Sequence, residues 1–385
     1  RLKRVKPSPT LAVTARANAL RAEGKDIIGL GAGEPDFDTP DNIKQAAISA
    51  IEQGKTKYTA VDGTAELKSA IISKFNRENK ISYQSNQILV SSGGKQSFFN
   101  LAQALLNSGD EVIIPAPYWV SYPDMVLLAG GEPVFVDGSM ENGFNITPEQ
   151  LDAAITPKTR LVVLNSPSNP TGRSYNRAEL SGLAEVLMQH PDVLIATDDM
   201  YEHILWTDEP FANIVNVCPD LYERTIVLNG VSKAYSMTGW RIGYAGGPAD
   251  IIGGMKKVQS QSTSNASSIS QAAAVEALSG DQGYIQDRLH EFKKRHDLVF
   301  DRLQDMDQIS CLPSMGTFYS FPSFKQVIKS SSKFNDDIQL AEYLLEHAGV
   351  ALVPGSAFGA AGHMRLSFAV GEDVLSDALN RISKS

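Results

Sequence analysis

The sequence predicts an α/β protein, with a mainly parallel sheet between helices and a smaller α+β unit beside it. Three observations carry this. Six short β-rich runs are apolar at nearly every position, as in strands covered on both faces. Segments between them keep the i, i+3, i+4, i+7 spacing of a helix stripe. After about residue 280 the alternation gives way to a long helix and scattered short strands.

In chain order, Thr39-Pro40 reads as a helix start with proline at the first position, followed by Ile43, Ala46, Ala47, Ala50 and Ile51 on one stripe. Ile88-Leu89-Val90, Val112-Ile113-Ile114, Val134-Phe135-Val136, Leu161-Val162-Val163-Leu164, Val193-Leu194-Ile195 and Ile226-Val227-Leu228 read as the strands. Phe98, Leu101, Ala102 and Leu105 form one helix face, and Leu180, Leu183, Ala184 and Leu187 another. The serine-rich stretch 260–270 is expected to open a helix. A long helix is predicted from about Tyr284 to Met306, with Ile285, Leu289, Phe292, Val299 and Leu303 inward. Short strands are predicted around 316–321, 351–353 and 364–368. The expected division is a large unit of residues 40–280 and a small one of 1–39 with 281–385.

The 385 residues carry 35 Lys+Arg against 44 Asp+Glu, a formal charge of −9. An acidic surface argues against nucleic acid or anionic membrane as partner, since both need a basic face. It leaves room for an anionic small substrate held by a few local cations. Cys218 and Cys311 match neither a metal spacing nor a redox pair and read as separate thiols. The six histidines show no metal-ligand spacing, so no metal is expected. No apolar run approaches the roughly 18 residues of a membrane span. The start, Arg1-Leu2-Lys3-Arg4, leads into Lys6-Pro7-Ser8-Pro9 rather than an apolar signal core, so a cytoplasmic location is expected.

Ligands of parallel α/β sheets bind at the carboxyl ends of the strands, and the polar clusters fall there. Ser91-Ser92-Gly93-Gly94-Lys95-Gln96 places glycines before a helix whose first N–H groups lack partners, which suits an anion. It is not a Walker loop, because Lys95 is followed by Gln96; in isolation it reads first as a tight strand-to-helix turn. Gly29-Leu30-Gly31-Ala32-Gly33 fails as a dinucleotide fingerprint, since Asp36 stands where the last glycine is required. The run from Ser232-Lys233 to Gly239-Trp240-Arg241-Ile242-Gly243 is more specific. A lysine at a strand end, screened by apolar neighbours, can lose its proton and form a Schiff base. Arg241 could fork onto a phosphate.

Together with Gly33-Glu34-Pro35-Asp36-Phe37, Lys57-Tyr58, Gly63, Pro117-Tyr118-Trp119, residues 165–172, 198–201 and Arg365-Leu366-Ser367-Phe368, this run resembles the class I aminotransferases of the pyridoxal-phosphate fold-type I superfamily. The match spans almost the whole chain. Ser92-Gly93-Gly94-Lys95-Gln96 and Tyr118-Trp119-Val120-Ser121-Tyr122-Pro123 further resemble the bacterial Ib-type aspartate aminotransferases, a branch shared with some glutamate–prephenate aminotransferases.

The resemblance implies pyridoxal 5′-phosphate bound to Lys233, with Asp198 facing its ring nitrogen and Tyr201 and Asn169 near the ring hydroxylate oxygen. Trp119 would stack on the ring. Gly94, Lys95 and Arg241 would take the phosphate, with Ser232 as a further contact, because Gly230 stands where some members use a serine. Tyr58 would reach the phosphate of a neighbouring subunit, implying a homodimer with a shared site. Arg365 would grip the substrate α-carboxylate, helped by Gly33 and Asn169, and Lys95 and Thr10 would meet a distal carboxylate. Asp199 is assigned no chemistry. The implied reaction is reversible amino transfer from L-aspartate to 2-oxoglutarate by a ping-pong route, with Lys233, Asp198 and Tyr201 as catalytic residues. The alternatives are prephenate as acceptor, β-elimination on the same fold, and a non-catalytic regulatory role.

Overall fold

Strands covered on both faces need apolar side chains pointing both ways, and the central sheet is built so. The structure is a computed structural model that describes residues 2–5, 7 and 9–385. Arg1, Lys6 and Ser8 of the basic start lie outside the described residues. In chain order the strands are β1 (Ile28–Gly29), β2 (Ile88–Ser91), β3 (Glu111–Ala116), β4 (Glu132–Asp137), β5 (Thr159–Asn165), β6 (Leu194–Asp198), β7 (Thr225–Gly230), β8 (Gly243–Gly246), β9 (Tyr319–Ser320), β10 (Val350–Ala351), β11 (Val353–Pro354) and β12 (Met364–Ser367).

Seven of them form one sheet in the order β2-β8-β7-β6-β5-β3-β4. All neighbours run parallel except β8, which is antiparallel to both β2 and β7. Alternate residues feed different cores: Val162 and Leu164 join Ile113, Ile195 and Val227 on one face, while Leu161 and Val163 join Ile114, Ala196 and Leu228 on the other. Helices Asp41–Glu52, Ala65–Lys74 and Ser268–Ser279 cover the first face, and Gly94–Leu105 and Ala249–Ser260 the second.

A further core surrounds helix Tyr284–Gln304, where Phe292, Val299 and Leu303 meet β9, β10 and β12. The amino-terminal segment packs with this carboxyl-terminal part. Ala17, Leu20 and Ile27 touch Leu345 and Ala351, and β1 pairs in parallel with β10.

Three local differences from the sequence reading have simple causes. Pro40 sits just before the helix rather than in it, at φ −54° and ψ 148°, and Asp41 takes the first position. The serine stretch is split: Ser260 ends one helix, and Ser267 opens the next by accepting the Ser270 N–H at 3.4 Å. Strand β8 was unforeseen, because Gly243-Tyr244-Ala245-Gly246 has no apolar run.

Candidate active site

The carboxyl edge of the parallel strands opens into a cavity of about 400 Å³, floored by the ends of β5, β6 and β7 and roofed by Arg365 and Tyr319. Thr10, Gly33, Gly94, Lys95, Trp119, Asn169, Asp198, Tyr201, Ser232, Lys233, Arg241 and Arg365 all line it. Of the residues singled out in the sequence, Tyr58 is not brought there; it is 94% exposed on a loop.

Asp198 ends β6 and projects into the cavity floor. Its Oδ2 accepts from the Tyr122 hydroxyl at 2.5 Å, and its Oδ1 accepts from the Met200 N–H at 3.3 Å. Burial pushes its pKa up, while those two donors oppose the shift. A cation brought against it would favour the carboxylate further. Asn165, at the end of β5, braces the strand end by donating to the Asp198 carbonyl at 3.0 Å.

Lys233 follows β7 and reaches across the floor to donate to the Gly33 carbonyl at 2.6 Å. Burial, and then the charge of Arg365, lower its pKa to about 8, with Glu34 opposing. Its Nζ lies 5.8 Å from the ring centre of Tyr201, whose hydroxyl is 3.0 Å from that of Tyr319. An amine with such a pKa supplies a sizeable neutral fraction near neutrality.

The anion turn is shaped by close backbone approach. Gly93 adopts φ +87°, and a Cβ there would collide with the Arg241 guanidinium. A Cβ on Gly243 would strike the Gly94 backbone nitrogen, which explains why β8 begins with glycine. Arg241 is itself left-handed, at φ +56°, and donates to the Thr238 carbonyl at 2.9 Å. Gly94 and Lys95 head their helix, so their N–H groups have no intrahelical acceptor. At Gly230 a side chain would crowd the Ile242 carbonyl and the Met200 methyl. That crowding accounts for glycine there, and buried Ser232 lines the cavity instead.

Arg365 is 2% exposed and sandwiched by aromatic rings, 4.5 Å from the centre of Tyr319 and 5.0 Å from that of Phe358. It donates to Asn169 Oδ1 at 2.8 Å and to the Gly31 carbonyl at 2.7 Å. Its Nε is buried without a partner among the described residues, as is the Thr10 hydroxyl. Lys95 lies 5.2 Å from the centre of the Trp119 ring, and desolvation followed by the Arg241 charge lowers its pKa. Four cationic side chains against Glu34 and Asp198 make the lining positive inside an acidic protein.

Sequence reasoning assigned no role to Tyr122, Asn165 or Tyr319, which hold Asp198, Asn169 and Tyr201 in place. Tyr122 lay within a quoted motif, but its contact to Asp198 spans 76 positions and left no local signal.

A doubly wound sheet with a buried lysine, a facing carboxylate and an arginine-lined roof describes a cofactor enzyme acting on small anions. The sequence matches the model of the class I and II aminotransferases over residues 25–382, and the chain belongs to that family. It is 59% identical to the aspartate/prephenate aminotransferase of Nitrosomonas europaea, over 100% of this chain and 98% of that one. It is 56% identical to that of Cereibacter sphaeroides, over 99% and 96%. Among solved structures, the aspartate aminotransferase from Rhizobium meliloti superposes with a TM-score of 0.95 at 50% identity, covering 99% of this chain and 96% of that one. The Thermus thermophilus aspartate aminotransferase with maleate gives 0.94 at 44%, covering 100% and 98%.

The protein is an aminotransferase that uses pyridoxal 5′-phosphate. The donor set fits that group: an amine to bond its aldehyde, a carboxylate for a ring N–H, and a helix start with an arginine for its phosphate.

Proposed function

We propose that this enzyme carries out reversible amino transfer from L-aspartate to 2-oxoglutarate, giving oxaloacetate and L-glutamate by a ping-pong route. The observation that carries it is the pair of carboxylate-matching positions in one cavity. Among the described residues the buried Arg365 Nε and the Thr10 hydroxyl have no partner, and both residues line the cavity together with Lys95. A dicarboxylate satisfies both, and a relative's structure holds maleate, itself a dicarboxylate.

When bound, the cofactor supplies a protonated ring that draws off the electrons of the broken Cα–H bond. Lys233 Nζ would hold the cofactor through its aldehyde and, as a free neutral amine, would take up and return the proton at the substrate Cα. Asp198, fixed by Tyr122, would keep the ring nitrogen protonated. Tyr201 and Asn169 would hydrogen-bond the ring hydroxylate oxygen, and Trp119 would stack on the ring. Gly94 and Lys95 N–H groups, Ser232 and Arg241 would take the phosphate. Arg365 orients the α-carboxylate with Asn169 and Gly33.

Tyr58 is assigned to the phosphate of a second copy, so the working unit is a homodimer. The unit made of residues 1–39 and 281–385 closes over the substrate against residues 40–280. The cytoplasm is proposed as the site of action; no helix among the described residues is long and apolar enough to cross a membrane.

The test is a donor–acceptor panel: aspartate, aromatic and sulfur amino acids against 2-oxoglutarate, oxaloacetate and prephenate. No amino transfer from aspartate would overturn the proposal. Prephenate as a further acceptor is a second reading, favoured because the two relatives above are named aspartate/prephenate aminotransferases. β-Elimination on neutral sulfur amino acids is disfavoured by Lys95, which such a substrate leaves without a partner. A pH series separates the role of Lys233. In cofactor-free enzyme, pyridoxal 5′-phosphate should attach faster as pH rises through about 8, where the amine becomes neutral. A flat profile across that range would remove Lys233 as the titrating nucleophile.

A further inference from the structure

The loop carrying Tyr58 joins helices Asp41–Glu52 and Ala65–Lys74. Its tip is exposed, yet its base is tied down by two glutamines that are 0% exposed. Gln271 Oε1 accepts from the Thr64 N–H at 2.8 Å, and its Nε2 donates to the Ala266 carbonyl at 2.9 Å and to Thr59 Oγ1 at 3.1 Å. Gln259 Nε2 donates to the carbonyls of Val61 and Val90, each at 2.8 Å. Its Oε1 accepts from Ser91 Oγ and Asn100 Nδ2, each also at 2.8 Å. Every amide oxygen and nitrogen of the two side chains has a partner. Ser268 donates to the Lys55 carbonyl at 2.7 Å, and Asp62 is held by Lys68 at 2.7 Å and Lys256 at 3.0 Å.

Burying an amide is unfavourable unless every polar atom finds a partner. Two such amides under one exposed loop, one of them also bonded to Ser91 at the root of the anion turn, tie the loop to the phosphate end of the site. An exposed tip on a free loop would lose conformational entropy each time it engaged another molecule; a pinned loop has little left to lose. We infer that Gln271 and Gln259 are positioning residues that pre-organise Tyr58 for the site of the second copy. The inference rests on the reading of Tyr58 given above and adds what makes that contact effective.

A double-mutant cycle on the dimeric holoenzyme tests it, read as the rate at which pyridoxal 5′-phosphate is lost to a trap. Tyr58→Phe removes one charge-assisted hydrogen bond and should speed loss about tenfold. Gln271→Met keeps the side-chain length but removes all three bonds, and should speed loss roughly fivefold in the parent and less than about twofold in the Tyr58→Phe background. Thr59→Val removes a single hydroxyl and repeats the cycle if Gln271→Met does not assemble. Equal factors in both backgrounds would mean ordinary structural damage and would overturn the positioning role while leaving Tyr58 in place. An unchanged rate in Tyr58→Phe alone would instead overturn the reading of Tyr58, and the inference with it.

Discussion

The segment 198–203 has two sides that are satisfied in opposite ways. Behind it, Lys74 is 0% exposed and bonds Glu202 and, at 2.7 Å, Asn79; Asn229 and Asn79 each donate to Glu202 at 2.6 Å. His203 meets Glu78 at 2.9 Å, and Asn213 donates to Asp199 at 3.0 Å. In front of it, Arg365 and Thr10 each have an atom without a partner among the described residues, and Lys95 lies against the Trp119 ring. Where the protein completes its own pairing, the charges hold the segment in place. Where it stops short, the ligand has to finish the pairing. The carboxylates of Glu78 and Glu202 lie close enough to His203 to suggest a metal cluster, but the Lys74 ammonium already sits among them.

The front of the segment should break most severely. Arg365→Lys keeps the charge but loses the fork that bonds Asn169 and Gly31 and that is proposed to grip the substrate carboxylate. We expect kcat/KM for aspartate to fall roughly 10³-fold, the equivalent of two charge-assisted hydrogen bonds, with a smaller loss of folding stability from the two internal contacts. Steady-state kinetics on aspartate beside thermal denaturation would check both halves. Nearly unchanged turnover would remove Arg365 as the carboxylate grip.

The back should break through stability. Burial pushes the Glu202 carboxyl up, but the Lys74 ammonium and the surrounding donors hold it below the usual carboxylate range. Glu78 is likewise raised by burial and brought down to about 2 by His203 and Lys74. Lys74→Met strands a buried carboxylate, for which a loss of about 3 kcal/mol is typical. Urea unfolding should show it. If stability were untouched, the network would not be what holds the segment.

The two sides also differ in how legible they were. The strand runs announced themselves because both faces of each are covered, and every residue given a site role, except Tyr58, lines one cavity. The motif could say that an arginine belonged at 365, but not that Tyr319 and Phe358 clamp it, since that packing is tertiary. Strand β8 was hidden for a physical reason: its glycine is there to let the Gly94 backbone approach, and glycine carries no hydrophobic signal. Lys74 lay in a helix whose sequence reads as ordinary, and its partner Glu202 is 128 residues away. Long-range charge pairing of this kind leaves no periodicity to read.

The smallest expected effect separates the sides by pH. Asp199 adjoins Asp198 but points into the back, and burial followed by the charge of Glu202 raises its pKa to about 7. An unfolded aspartate titrates near 4. Between those values the folded state binds the extra proton, so stability falls as pH rises through the window and the penalty is complete above about 7. Asp199→Asn abolishes this titration and retains an oxygen to accept from Asn213. Relative to the parent, the variant should gain about 2 kcal/mol between pH 5 and pH 8, read as a difference in unfolding free energy at each pH. A pH-independent difference would place the proton elsewhere and make the Asn213 contact alone responsible for any change.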